Sequence, residues 1–226
     1  LHDALLQNIP LVYCMDRAGV VGKDGPTHHG VLDIAFMRSF PGMIVTAPKD
    51  GDELKNLLAT GIHSNKNFSI RYPKASCINY NENTKAEILE IGKWESLVKG
   101  KNTAILAVGS MVGMIMESIT EISNEIGYTP SVVNARFIKP IDDIMLHDLC
   151  EKHDSIFTIE EGILNGGFGS AISDFLHDFK LINKLYRLGI PDRFVHHGTR
   201  EELLSDLGLT SKHIISMLKE NRLIYA

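Results

Sequence analysis

Residues 43–72, MIVTAPKDGDELKNLLATGIHSNKNFSIRY, contain the pattern that decides the fold. The apolar runs at 43–47 and 68–72 are typical of buried strands. Between these runs, bulky aliphatic residues recur at helical spacing, at Leu54, Leu57, Leu58 and Ile62. A strand, a helix and a second strand in this order indicate an α/β fold.

The alternation extends upstream and is interrupted downstream. LVYCM at 11–15 predicts a further buried strand. Residues 75–102 lose the alternation, because they begin with a polar, asparagine-rich stretch and end with KWESLVKGKN, which resembles a short hairpin or an edge strand. We therefore place a domain boundary near Asn83, which divides the chain into residues 1–83 and 84–226.

Beyond this boundary, strands and helices alternate again. Four apolar segments predict strands: TAILAV, SVVNA, SIFTI and KLYRL. After the first of them, apolar residues recur every three or four positions, at Met111, Ile115, Ile119, Ile122 and Ile126. This spacing predicts a helix that lays one apolar stripe against a sheet. The fold class is therefore α/β, with two domains and mainly parallel sheets.

The composition describes an ordinary globular chain of 226 residues, 44% hydrophobic and 23% charged. The net charge of −5 and the lack of basic runs argue against a nucleic-acid partner. No apolar run approaches the ~20 residues that a membrane span needs. Three cysteines without a CxxC pair favour a reducing compartment and argue against a thiolate metal site. The chain begins at Leu1 inside a helix-like stretch, so we expect a further segment upstream.

The loop at 16–30, DRAGVVGKDGPTHHG, follows the first predicted strand. In parallel sheets, ligands bind beyond the carboxyl ends of the strands, so the loop is well placed for a site. The planar fork of Arg17 suits a phosphate or a carboxylate, Asp24 can orient a hydroxyl group, and His28 can exchange a proton near neutral pH. On composition alone, a solvated glycine loop with an incidental histidine pair fits equally well.

Six blocks carry a resemblance to a known family. They are the loop at 16–30 and then FPGMIVTAPKDGDEL, IRYPK, VNARFIKPID, IEEGILNGGFGS and LGIPDRFVHHGTREELLSDLGL. In this order, the blocks resemble the carboxyl-terminal portion of the 1-deoxy-D-xylulose-5-phosphate synthases, which are thiamine-diphosphate enzymes related to transketolase. The resemblance covers essentially the whole chain, and the first block is specific to these synthases rather than to transketolases at large.

The resemblance implies a domain organisation and a cofactor. Residues 1–83 resemble the latter part of the pyrimidine-binding domain, and residues 84–226 resemble the transketolase carboxyl-terminal domain. The family uses thiamine diphosphate and Mg²⁺, but this chain has no GDG-type motif followed by an asparagine. We therefore expect the main cofactor residues upstream of Leu1, no metal ligands in this chain, and no cofactor binding or activity by these residues alone.

The resemblance also implies a reaction and partners. Members of the family condense pyruvate with glyceraldehyde 3-phosphate, with loss of carbon dioxide, for isoprenoid and in many organisms thiamine and pyridoxal biosynthesis. The expected partners are these two substrates, the amino-terminal part of the same protein and a second copy in a homodimer, without nucleic acid or membrane. The expected location is the bacterial cytoplasm or a plastid-type organelle.

Four residues of this chain match functional positions of the family. Arg17 resembles the arginine for the acceptor phosphate, and Asp24 resembles a loop aspartate near the acceptor. His28 occupies the place of the catalytic histidine that faces the cofactor and the substrate oxygens, where it can donate a proton to the aldehyde. Lys74 stands where the family usually has a second phosphate-binding arginine, so it keeps the charge but loses the bidentate geometry. Arg71 is expected to be structural.

Three further features favour structural interpretations. The glycines of EEGILNGGFGS could form an anion nest at a helix start, but tight packing of a helix on a strand is favoured. His196 and His197 lack a third residue at metal spacing, and His29 is read as a neighbour of a helix start.

Two alternative functions stay open. The chain could belong to another transketolase-like enzyme, such as the β subunit of a 2-oxo-acid dehydrogenase, or it could be a non-catalytic assembly module. The pairing of Arg17 with Asp24 in one loop favours the synthase, because only that acceptor carries a phosphate.

Overall fold

The computed structural model describes residues 1–77 and 79–223, with side chains to residue 220. Two sheets with helices packed against them make up this part of the chain. The strands are β1 (Val12–Met15), β2 (Ile44–Thr46), β3 (Phe68–Arg71), β4 (Glu95–Val98), β5 (Asn102–Ala107), β6 (Ser131–Asn134), β7 (Phe137–Lys139), β8 (His153–Ile163) and β9 (Lys184–Ile190). The helices are α1 (His2–Leu6), α2 (Asp33–Ser39), α3 (Gly51–Ser64), α4 (Met111–Ile126), α5 (Asp143–Lys152), α6 (Phe168–Asp178), α7 (Arg200–Asp206) and α8 (Ser211–Leu223).

The first sheet has the strand order β1-β3-β2-β7. Strand β3 pairs in parallel with both β1 and β2, and α3 connects β2 to β3, as the pattern at 43–72 predicts. Strand β7 pairs antiparallel with β2, and sequence reasoning did not predict this strand. It follows the predicted boundary near Asn83 in the chain but pairs in the first sheet, so backbone hydrogen bonds join the two parts of the chain.

The second sheet has the strand order β4-β6-β5-β8-β9. All of its neighbouring strands are parallel except β4, which runs antiparallel to β6 at one edge. The segment KWESLVKGKN therefore forms an edge strand rather than a hairpin. The stripe of α4 is buried at Met111, Ile115, Ile122 and Ile126, and the helix contacts strands of this sheet. Two mainly parallel sheets confirm the predicted α/β fold class.

Strand β8 is longer than its sequence pattern predicts. It continues past SIFTI through two adjacent glutamates, Glu160 and Glu161, and both side chains are buried. The extension places two carboxylates at the carboxyl end of the central strands, directly beside the first sheet's loops. Among the described helices, none has the length and apolar character that crossing a membrane would require.

Candidate functional site

The loop at 16–30 leaves the carboxyl end of β1 and closes on itself. The Gly19 amide donates to the Gly30 carbonyl at 2.9 Å, and the Gly30 amide donates to the Arg17 carbonyl at 2.9 Å. Arg17 lies in the left-handed region with φ of 62°, and a Cβ on Gly30 would stand 2.4 Å from the Arg17 carbonyl oxygen. The Ala18 amide donates to the Tyr72 carbonyl at 3.0 Å, which fixes the loop beside the segment that follows β3.

Three predicted substrate-binding residues meet at this point, and we call Arg17, Asp24 and Lys74 the cation cluster. Asp24 Oδ2 lies 2.6 Å from Lys74 Nζ and 3.7 Å from Arg17 Nε. Arg17 also donates to Asp16 Oδ2 at 2.5 Å. Arg17 Nε is buried and makes no hydrogen bond in the described structure. The fold thus brings together residues that are 50 positions apart in the sequence.

The cation cluster keeps its carboxylate ionised. The hydrogen bond from Lys74 is the main reason that the pKa of Asp24 is lowered, partial burial opposes it, and the charges of Lys74, Arg17 and His28 add to the lowering. Lys74 and Arg17 therefore both lie beside the Asp24 carboxylate at a partly exposed position, and Arg17 also pairs with Asp16. An incoming anion can bind both cations there without first being buried in an apolar environment.

His28 lies beside the cation cluster and is exposed. Its Nδ1 is 3.1 Å from the Thr27 hydroxyl, and its amide donates to the Gly25 carbonyl at 3.0 Å. Within the described ranges, its Nε2 makes no hydrogen bond, so this nitrogen is open to a substrate. The geometry therefore places an imidazole with an open nitrogen next to the cation cluster.

His29 makes a bridge that sequence reasoning missed. The Val21 amide donates to Nδ1 at 3.0 Å, so the ring proton lies on Nε2, which donates to the His196 carbonyl at 3.1 Å. His29 therefore ties the loop to the segment that precedes α7. No sequence pattern predicts this contact, because its two ends are 167 positions apart in the chain.

Glu161 makes a second bridge to the loop. Its Oε1 accepts from the Val20 amide at 2.8 Å. Its Oε2 accepts from the Ser110 hydroxyl at 2.9 Å and from the Arg200 guanidinium. Burial raises the pKa of Glu161, and the charge of Arg200 and the hydrogen bonds oppose this effect. The sequence offered one signal for this contact, a pair of adjacent acids at the end of an apolar strand. Carboxylates that are buried there need hydrogen-bond partners.

Glu160 occupies the nest formed by the glycine cluster. Its two carboxylate oxygens accept from the Phe168 and Gly169 amides, both at 2.7 Å, at the amino terminus of α6. Burial raises the pKa of Glu160 to about 7. A Cβ on Gly169 would stand 2.8 Å from Thr158 Oγ1, so the helix packs tightly on β8. The nest therefore holds a carboxylate of the protein itself.

The described residues offer no metal site. Across 1–77 and 79–220, no group of three or more histidine, cysteine, aspartate or glutamate side chains is placed to hold a metal ion. Arg71 is buried and donates to Asp33 Oδ2 at 2.8 Å, so its position is structural.

Family models match both parts of the chain. The transketolase pyrimidine-binding domain matches residues 1–78, and the transketolase carboxyl-terminal domain matches residues 92–214. A solved split-gene transketolase, described as an inactive β4 tetramer, superimposes with a TM-score of 0.79 at 23% identity. The match covers 92% of this chain and 65% of that one, and it shows a shared fold.

Curated relatives give closer matches in sequence. The 1-deoxy-D-xylulose-5-phosphate synthase of Aquifex aeolicus is 42% identical over 99% of this chain and 36% of its own length. The synthase of a Geobacillus species is 42% identical over 97% of this chain and 35% of its own length. The chain thus spans about a third of the length of these relatives. It belongs to the transketolase family, and it resembles the carboxyl-terminal part of 1-deoxy-D-xylulose-5-phosphate synthases.

Proposed function

We propose that the whole protein containing this chain condenses pyruvate with glyceraldehyde 3-phosphate, releases carbon dioxide and forms 1-deoxy-D-xylulose 5-phosphate. One observation carries the proposal: Arg17, Asp24 and Lys74 form one cluster beside His28, in a chain similar to enzymes named for that product. The finer assignments below rest on the same observation.

The cation cluster binds the phosphate of the acceptor. Arg17 offers a charged, partly exposed planar fork, and Lys74 offers an exposed ammonium 2.6 Å from Asp24. Charge-assisted hydrogen bonds from two cations suit the oxygens of a phosphate group. When the phosphate takes donors from both cations, the Asp24 carboxylate is released to accept a hydrogen bond from a hydroxyl group of the acceptor. Phosphate recognition and acceptor orientation are then coupled in one cluster.

His28 supplies the proton. The aldehyde oxygen of the acceptor must gain a proton when its carbon forms the new bond, and an exposed imidazole beside the phosphate site is a suitable donor. Thiamine diphosphate supplies the nucleophilic carbon when it is bound. His28 therefore acts at the acceptor oxygen, while the cation cluster holds the other end of the same molecule.

The remaining assignments are proposals on the same footing. We assign residues 1–83 and 84–226 to two domains, the latter part of the pyrimidine-binding domain and the carboxyl-terminal domain. The whole protein uses thiamine diphosphate with Mg²⁺, forms a homodimer in the bacterial cytoplasm or a plastid-type organelle, and serves isoprenoid and thiamine biosynthesis. The 226 residues alone are expected to be inactive, since they span only about a third of these relatives.

The test is an assay of the whole protein with ¹³C-labelled pyruvate, thiamine diphosphate and Mg²⁺. With glyceraldehyde 3-phosphate, we expect labelled carbon dioxide and a labelled five-carbon sugar phosphate. Glyceraldehyde without phosphate is the matched control and should react much more slowly. With a lipoyl domain added to the assay, transfer of the label to its lipoyl group instead would favour the β subunit of a 2-oxo-acid dehydrogenase, and no turnover at all would favour an assembly module.

A further inference from the structure

We propose that Glu161 is a positioning residue, which from the second sheet fixes the loop that carries Arg17, Asp24 and His28. The effect on the acceptor rests on the proposed function, whereas the effect on the loop itself does not. Neither the resemblance nor the family matches assign a role to this residue.

The loop occupies a crevice of the second sheet. Strands β5 and β8 are parallel neighbours, but the chain leaves β5 through α4 toward β6 and leaves β8 through α6 toward β9. Such a divergence opens a crevice at the carboxyl ends of the two strands, which in α/β folds is where ligands bind. Here Ser110 follows β5, and Glu161 lies near the end of β8. The Ser110 hydroxyl donates to Glu161 Oε2, and Glu161 Oε1 accepts from the Val20 amide of the loop. The crevice therefore holds part of the first domain.

Val20 is the residue that fills the crevice. Its side chain is 1% exposed and packs within the apolar cluster of the second sheet, with Ala107, Met111 and Ile159. Its amide donates to Glu161 Oε1 at 2.8 Å. The apolar contact and the hydrogen bond thus act on one residue, which lies three positions after Arg17 and four before Asp24.

The fit of the loop on Glu161 leaves no spare room. A Cβ on Gly19 would stand 2.3 Å from the Glu161 carboxyl carbon, and one on Gly22 would stand 3.1 Å from the Gly198 carbonyl oxygen. Both glycines also have positive φ, at 76° and 68°. The backbone therefore lies directly on the carboxylate and on the segment before α7, and a displaced carboxylate must move the loop.

Residues outside the loop also hold Glu161 in place. Its Oε2 accepts from Ser110 and Arg200, and its backbone carbonyl accepts from Arg71 Nη2 at 2.9 Å. The same guanidinium nitrogen lies 3.3 Å from the carbonyl of Gly30, where the loop closes. Glu161 is thus fixed by three partners before it receives the Val20 amide, as a rigid support requires.

The main test compares Glu161→Gln with Glu160→Gln in the whole protein. Glu160 is the adjacent residue and is equally buried, but it caps α6 and makes no hydrogen bond to the loop among those described. In Glu161→Gln the hydrogen bond to the loop weakens in either orientation of the amide. The amide either turns its N–H group toward Val20, or it loses the hydrogen bond of Arg200 and accepts from Val20 as a neutral carbonyl. In Glu160→Gln, the side-chain N–H group instead faces the Phe168 or Gly169 amide at the start of α6, so a hydrogen bond is lost there.

Two measurements are made on each variant. Hydrogen exchange of the peptide covering 16–30 should become about tenfold faster in Glu161→Gln and stay unchanged in Glu160→Gln, whose α6 amides should exchange faster instead. The kcat/KM for glyceraldehyde 3-phosphate should fall about tenfold in Glu161→Gln, with the KM for pyruvate within about twofold of the wild type. A general loss of stability would not produce this split.

A second pair of variants keeps the test valid if Glu161→Gln does not fold. His29→Leu removes both hydrogen bonds of the other bridge, whereas His29→Gln supplies an acceptor for Val21 and a donor for His196. We expect faster loop exchange in His29→Leu and near wild-type exchange in His29→Gln. Wild-type loop exchange in Glu161→Gln overturns the proposal, as does an equal loss for both substrates.

The failure of the proposed function would look different. In that case the wild-type protein forms no sugar phosphate, and the loop of Glu161→Gln still exchanges faster. If the wild type is active but Glu161→Gln keeps both a protected loop and full acceptor use, the function stands and the positioning role is wrong.

Discussion

Arg17 and Arg71 each pair with an aspartate near the carboxyl end of the first sheet, yet their environments differ. The Arg17 side chain is 38% exposed, and its Nε lies 3.7 Å from Asp24. The Arg71 side chain is 4% exposed, and its Nε lies 2.8 Å from Asp33. Arg17 holds Asp24 loosely, and its closer partner Asp16 is exposed, whereas Arg71 also donates to the carbonyl of Glu161.

The difference separates two uses of the same side chain. An exposed ion pair contributes little to stability, so its cation can exchange one anion for another at small cost. A buried arginine cannot lose its carboxylate without leaving an uncompensated charge, so it holds the backbone in one arrangement. We infer that the exposed pair meets the substrate and that the buried pair holds the loop that presents it.

The largest expected effect comes from the buried pair. In the whole protein, Arg71→Met leaves the Asp33 carboxylate buried without its cation, and the free energy of unfolding should fall by roughly 3–5 kcal/mol. Arg17→Met is the matched control and should change it by less than about 1 kcal/mol. Urea unfolding of both variants measures the difference. Similar losses in the two variants would remove the distinction between the pairs.

The next effect concerns pH and Glu160. Its pKa is raised from an ordinary value of 4.5 to about 7 by burial, so the folded state binds the proton more tightly than the unfolded state. The resulting stability is fully present below pH 4.5 and is lost as the pH rises through 7, with a magnitude on the order of 3 kcal/mol. Glu160→Gln should remove this contribution, so the difference between the two proteins should change between pH 5 and pH 8.

Urea unfolding at the two pH values measures that change, because groups that titrate in both proteins cancel in the comparison. A difference that is constant from pH 5 to pH 8 would show that Glu160 does not titrate in this range. Such a result would mean that a cationic group stabilises the ionised form of Glu160 more strongly than the structure indicates, as Lys74 does for Asp24.

The smallest effect is at the start of α7, next to Arg200. Thr199 forms a capping box with Glu202: its hydroxyl accepts from the Glu202 amide at 3.2 Å, and the Thr199 amide donates to Glu202 Oε2 at 2.9 Å. Thr199→Ala should lower the free energy of unfolding by about 1 kcal/mol, and Thr199→Ser should restore most of it. Thermal melts and acceptor kinetics are measured together. A selective loss of acceptor use in Thr199→Ala would mean that the cap, and not only Glu161, holds the loop.

The sequence predicts the elements with strong periodicity and fails where contacts are long-range. The apolar stripe of α4 and the pattern at 43–72 were sufficient to predict the elements there, because apolar residues recur at a fixed period in each. Strand β7 is only three residues long and shows no period, so its pairing with β2 could not be predicted. The comparisons confirm the family resemblance, which pointed to Arg17 and Lys74 as candidate site residues, and the fold brings these two to the same carboxylate.

The roles of Glu161 and His29 could not be predicted from the sequence for a different reason. The contact of Glu161 depends on a crevice between strands β5 and β8 that exists only after the second sheet has formed, and the contact of His29 depends on the segment before α7. The family resemblance favoured the interpretation of His29 as a neighbour of a helix start, and no sequence pattern gave a reason to connect Glu161 with Val20, which is 141 positions away.

The central claim is that Arg17 binds the phosphate of the acceptor, and one measurement tests it directly. In the whole protein, Arg17→Ala is assayed with pyruvate, glyceraldehyde 3-phosphate and glyceraldehyde, each varied in turn, beside a thermal melt. A charge-assisted hydrogen bond contributes ~1.5–3 kcal/mol, so kcat/KM for glyceraldehyde 3-phosphate should fall roughly 10- to 100-fold. The values for pyruvate and glyceraldehyde and the melting temperature should stay close to those of the wild type. Equal losses for all three substrates, or a collapsed melt, would contradict the claim.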